Sequence, residues 1–160
     1  MDNSLKTSVK LSVDEINYYT IRRLLRRKKV EVHDNTENLE CSFWVYTKGF
    51  EYNILIHADK SMNLVLFVLS FSYLKRKHEK KVYLIVNKLN RNCKNGKLVI
   101  NKKMRQIELQ MVHNCFGETM KEEEILGTFG LMCNAADELL LSHWWIIGKR
   151  NKRKSINSEC

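Results

Sequence analysis

Apolar residues recur at helical spacing near the start of this chain. Tyr18, Ile21, Leu24 and Leu25 fall on one side of a helical repeat, and Arg22, Arg23, Arg26 and Arg27 fall on the others. Just upstream, Ser12-Val13-Asp14-Glu15 places a serine three residues before a glutamate. That is the pattern of a capping box, in which each side chain satisfies a backbone N–H at the helix start. The spacing predicts a helix from Ser12 to about Lys29, with cations in its last turn, where the negative end of the helix dipole favours them.

From Val30 the period changes to two. Across Leu39–Lys48, Cys41, Phe43 and Val45 point one way and Trp44 and Tyr46 the other. Gly49 marks a turn, and Phe50–Ala58 alternates again with Tyr52, Ile54 and Ile56 on one side. A polar turn at Asp59–Ser61 leads into Asn63–Ser72, which is apolar on both faces and therefore reads as a central strand. Short connections make these three strands an antiparallel meander. A second helix is predicted over about 77–92, with Val82, Ile85, Val86 and Leu89 as its apolar stripe, ended by Asn95-Gly96. Lys97–Lys103 and Gln106–His113 form a further hairpin. A long last helix begins near Thr119 with Glu122, Glu123 and Glu124 in its first turns, followed by Ile125, Phe129, Met132 and Leu139.

The predicted order is α-β-β-β-α-β-β-α, with room for a short extra strand at Val30–His33. This describes an α+β fold: a two-layer sandwich with a five-stranded antiparallel sheet and helices mainly on one face. Residues 12–147 make the single domain, 1–11 a flexible start, and 148–160 a basic, disordered tail without periodicity. A chain of 160 residues suits one domain with a real core.

With helices on one face of the sheet, the other face must meet water or a partner. The alternation puts Trp44, Tyr46, Leu55 and His57 there, joined by one set from the central strand, taken as Val65, Phe67 and Leu69. Contiguous apolar surface of this kind marks interaction sites, and Trp and Tyr are enriched in them. The expected partner-binding residues are Trp44, Tyr46, Leu55 and Phe67. The competing possibility is that the last helix, with Trp144 and Trp145 near its end, folds over this face and hides it.

Charge changes the picture in one place. The formal net charge is +10. Two runs carry it: Arg22, Arg23, Arg26, Arg27, Lys28 and Lys29, then Lys149, Arg150, Lys152, Arg153 and Lys154. Without these eleven cations the rest of the chain is close to neutral. The alternative function is therefore binding of nucleic acid or another anionic surface by the first helix and the tail.

Other chemistry is sparse. Five cysteines stand at 41, 93, 115, 133 and 160, an odd count with no CxxC pair, which fits reduced thiols in the cytoplasm better than a disulfide framework. The longest apolar runs, Leu64–Phe71 and Leu139–Ile147, fall short of the roughly 20 residues that span a bilayer. His113 and Cys115 lie two apart but lack further ligands at zinc-like spacing. His57 reads as a sheet-face residue, and Glu122, Glu123 and Glu124 as a helix start. No GxGxxG, P-loop, HExxH or GxSxG motif occurs. The expectation is no catalytic residue, no metal and no cofactor.

Three local features carry a resemblance. Near the end of the second helix stands Val86-Asn87-Lys88-Leu89-Asn90, an Asn-x-x-Asn. A glycine leads the following strand, Gly96-Lys97-Leu98-Val99-Ile100, and Gly117-Glu118-Thr119 precedes the acidic start of the last helix. With the first helix and the three-strand meander, they resemble the type III secretion chaperone-like fold, and within it the YbjN family of proposed bacterial sensory-transduction regulators. The likeness covers about residues 12–147. It implies a non-catalytic domain, chaperone-like or regulatory and often a homodimer, that offers its sheet and helices to a polypeptide.

Overall fold

A computed structural model of the chain describes residues 11–47, 50–73, 78–91, 93 and 96–147, of which the side chains at 72, 73 and 144–147 lie outside the description. The capping box forms: Ser12 N–H donates to Glu15 Oε2 at 2.7 Å, and Glu15 N–H donates to Ser12 Oγ at 3.3 Å. Helix α1 runs Val13–Arg27 and buries Tyr18, Ile21, Leu24 and Leu25. It stops where Lys29 takes φ +58 and the Val30 N–H bonds back to the Leu25 carbonyl at 3.0 Å, a left-handed C-terminal cap.

Strands β1 (His33–Asn35), β2 (Glu40–Thr47), β3 (Phe50–Asp59) and β4 (Leu64–Tyr73) follow, then helix α2 (Glu79–Asn90), strands β5 (Lys97–Asn101) and β6 (Gln106–Asn114), and helix α3 (Glu122–Ile147). The described sheet has six strands in the order β1-β2-β3-β4-β6-β5, and every neighbouring pair is antiparallel. The sixth strand corrects the expected five. It is β1, three exposed polar residues paired with Glu40–Ser42, and it begins at the last residue of the Val30–His33 stretch where the sequence leaves room for a short strand. The turn expected at Gly49 and the tail after Ile147 lie outside the described residues.

Helix α2 carries the chain from β4 to the far edge, and β6 then returns between β4 and β5. The second of the paired asparagines matters at this crossover. Asn90 donates from Nδ2 to the Leu98 carbonyl and accepts the Leu98 N–H at Oδ1, both at 2.8 Å, and so ties the end of α2 to β5. Gly96 suits a close approach, since a Cβ there would sit 3.1 Å from the Gln110 carbonyl oxygen and 3.1 Å from Met111 Cγ.

All three helices contribute to one core on one side of the sheet. The Phe129 ring of α3 meets Phe43 at 5.3 Å and Phe67 at 5.9 Å, both edge-on. Two buried polar groups brace this packing. Asn17 accepts the Met120 N–H at 2.7 Å and donates to Cys115 Sγ at 3.1 Å, fastening α1 to the segment ahead of α3. Asp137 of α3, 1% exposed, accepts from Tyr52 Oη at 2.5 Å and Thr47 Oγ1 at 2.6 Å, fastening α3 to β2 and β3.

Candidate functional site

The sheet face turned away from the helices is built row by row from strand register. One row runs Ser42, Leu55, Val68, Gln110 and Lys97, and the next runs Trp44, Asn53, Ser70, Glu108 and Val99. Glu40, His57, Leu66 and Val112 form a third. Trp44 is 51% exposed, Tyr46 57% and Val112 54%, while Leu55 and Leu66 are half-buried between them. Helix α3 packs on the opposite face, through Phe129 against Phe43 and Phe67. Trp44, Tyr46 and Leu55 therefore share one face, as the alternation predicts; α3 packs on the other face at Phe129, and the side chains of Trp144 and Trp145, offered as a cover, lie outside the described residues.

Phe67 does not belong there. It is fully buried in the core, together with Val65 and Leu69. The residues that β4 presents beside Leu55 and His57 are Val68 and Leu66. The correction has a simple cause: β4 is apolar at both parities, so alternation within it cannot choose a face. Register does choose, and the pairs Leu55↔Val68 and His57↔Leu66 settle it. Sequence reasoning also left out Val112 and Val99. The signal was available in the alternation of β6 and β5 once their order beside β4 was known.

Three carboxylates stand on this face, among neutral polar groups, His57 and the cation Lys97. Glu40 stands 3.3 Å from His57 Nδ1. Tyr46 Oη donates to Glu51 Oε1 at 2.7 Å. Glu108 is 9% exposed and accepts from Asn101 Nδ2 at 2.7 Å and Gln110 Nε2 at 3.0 Å. An apolar strip bordered by carboxylates is thus set apart from the chain's basic helix.

The stripe on α1 is partly spent on structural ion pairs. Arg22 and, at 3.4 Å, Arg26 share Asp34 of β1, and Arg27 pairs with Glu122 at the start of α3. Arg23 has no ion pair among the described residues. The predicted row Arg22, Arg23, Arg26, Arg27, Lys28 and Lys29 is therefore interrupted by two carboxylates. Its companion in the anion-binding alternative, the basic tail, lies outside the described residues.

The remaining candidates have structural occupations. Cys115 is buried beside Asn17, and burial followed by the Asp14 charge pushes its thiol above the ordinary range. Burial likewise raises Cys41 to about 12 and Cys133 to about 11. Such thiols are poor nucleophiles. Glu124 accepts the Lys121 N–H at 2.7 Å, a helix-start contact. Among the described residues no group of three His, Cys, Asp or Glu side chains could hold a metal ion, and no helix is long and apolar enough to cross a membrane.

Three surface carboxyls have lowered pKa values. In Glu15 the backbone N–H of Ser12 is the main cause, with Lys60 next, and the value falls from 4.5 to about 2. Asp59 is lowered by Ser61, and Glu122 by Arg27. A depressed carboxyl holds fewer protons in the folded state, so its contribution is complete above the unfolded value and is lost as pH falls through the folded one. Thermal melts should show a midpoint that drops progressively from pH 4.5 toward pH 2, and Glu15→Gln should flatten that drop while lowering the midpoint at neutral pH.

The architecture defines the chain as an α+β sandwich with an open sheet face and a helix-capped core. Its solved neighbours make the class specific. A chain of the ExsC–ExsE complex superimposes with a TM-score of 0.65 at 8% identity, covering 81% of this chain and 94% of that one. YbjN from E. coli, a candidate transcription regulator, gives a TM-score of 0.59 at 10% identity, covering 79% and 90%. A chain of the HopA1–SchA chaperone–effector complex gives 0.51 at 10% identity, covering 78% and 97%. No protein-family model and no curated protein matches the sequence. The chain therefore has the fold of YbjN and the type III secretion chaperones, as the local motifs suggested, and at these identities the likeness is one of fold.

Proposed function

We propose that this protein is a non-catalytic, polypeptide-binding domain, chaperone-like or regulatory, that presents the open face of its sheet. The observation that carries this reading is the exposure of Trp44, Tyr46 and Val112 on an apolar strip that the helices leave uncovered. Surface of that composition is characteristic of interaction sites. The fold is shared with a chain of a chaperone–effector complex, which supports a polypeptide as the occupant. Homodimerisation is part of the proposal, with a second copy of the chain as one partner. The carboxylates Glu40, Glu51 and Glu108 around the strip favour neutral or basic segments in any other partner.

The test is a charge placed on the strip. Trp44→Glu is expected to change stability by no more than about 0.5–1 kcal/mol, because the ring is half in water. It should weaken self-association or peptide capture by about tenfold or more, the size of a hot-spot loss. Light scattering gives the mass, panning of a peptide library gives capture, and a thermal melt gives the fold. A variant that unfolds with no change in mass or capture would assign Trp44 to the core and end this reading.

A further inference from the structure

Helix α1 has a second stripe on the side away from the core. Ile16, Tyr19, Arg23 and Arg26 follow one another at spacings of three, four and three, and so form one ridge. The ridge changes character along its length. Its first half is apolar, with Ile16 37% and Tyr19 38% exposed, continued upstream by exposed Leu11. Its second half is cationic. Leu11, Ile16, Tyr19, Thr20 and the arginines line a shallow groove of about 500 Å³.

The ion pairs around the ridge say which cations remain available. Arg22 is mostly covered and engaged by Asp34, and Arg27 is engaged by Glu122. Arg26 is 60% exposed and reaches Asp34 only at 3.4 Å, so its guanidinium keeps donors facing outward. Arg23 is exposed and has no ion pair among the described residues. Two guanidiniums are left in place, one turn beyond two apolar side chains. A phosphate backbone presents evenly spaced charge and gains nothing from the apolar half, while Asp34 and Glu122 interrupt the positive track it would follow. Guanidinium forks match carboxylates in two-point hydrogen bonds, and the apolar half of the ridge matches an apolar side chain one turn away.

We propose that the outer ridge of α1 docks an acidic amphipathic segment of a partner polypeptide, with apolar side chains against Ile16 and Tyr19 and carboxylates on Arg23 and Arg26. This surface lies on the helical side of the domain and differs from the sheet face in charge and position. It stands or falls separately from the reading given for that face.

The experiment uses the full chain and three labelled helical peptides. One carries two leucines followed one turn later by two glutamates, and the others replace the glutamates by glutamine or lysine. Fluorescence anisotropy should show the glutamate peptide binding about tenfold or more tightly than the glutamine peptide. Arg23→Glu should weaken the glutamate peptide by at least about tenfold and let the lysine peptide bind. Ile16→Ser should weaken both pairings, and Trp44→Glu should change neither. Equal binding of the glutamate and glutamine peptides overturns the proposal, as does indifference to Arg23→Glu. Displacement of the glutamate peptide by duplex DNA or phosphatidylserine vesicles at lower concentration than by unlabelled peptide also overturns it, and assigns the ridge to that anion instead. Arg23→Gln, which removes charge without reversing it, gives the same comparison should the reversal disturb folding.

Discussion

Phe67→Ala is expected to lower the unfolding free energy by about 3–5 kcal/mol, as read from urea denaturation. Phe67 is fully buried, and its ring meets Phe129 of α3 edge-on at 5.9 Å. Truncation removes that contact and leaves a cavity between the sheet and α3, which rigid strands on either side of β4 cannot close. A domain of this size is stable by about 5–15 kcal/mol, so a large share would be lost. The comparison that gives the result its meaning is Leu66→Ala, one residue away. Leu66 is half-buried on the open face, and its loss should cost about 1 kcal/mol, since only part of its transfer energy is realised. The reverse order of costs would mean that β4 is in the other register, and it would bring Phe67 back to the open face.

That pair of variants also marks where the sequence stopped being readable. In β2 and β3 the alternation is clean, because each strand has a core side and a wet side, and Trp44, Tyr46 and Leu55 could be placed from it. In β4 both parities are apolar, since a central strand is covered by helices on one side and narrowed by neighbouring side chains on the other, where Val68 is only 7% exposed. Its face follows only from pairing, which is long-range information. The capping box at Ser12 was legible because it is local; the pattern puts the end of α2 near 92 and it falls at Asn90, whose hold on Leu98 no local pattern announces. The charge stripe on α1 was legible as a row of residue types. Its partial neutralisation was not, because it rests on long-range placement: Asp34 comes from a short polar strand beside α1, and Glu122 lies 95 residues beyond Arg27.

Asp137 escaped notice for a related reason, and it carries the second large effect. One aspartate in a helix passes for a solvent-facing residue. Yet it lies four residues after Cys133 and three before Leu140, both buried, and so falls on the core side of α3. There one of its carboxylate oxygens, Oδ1, accepts from Tyr52 Oη and Thr47 Oγ1. The phenol of Tyr52 is itself held protonated, since burial and the bond to Asp137 both push its ionisation upward. It must therefore donate to something. Asp137→Ala leaves both hydroxyls without an acceptor, and an unmet buried donor costs about 1–3 kcal/mol. The expected loss is about 3 kcal/mol, measured by the same urea titration. Tyr52→Phe should cost about 1–1.5 kcal/mol, because it removes a donor and leaves Thr47 paired. In the double variant the two costs should fall short of their sum, as the shared hydrogen bond is lost only once. Additive costs would show that Tyr52 and Asp137 act independently, and that α3 is held to β2 and β3 by its apolar contacts alone.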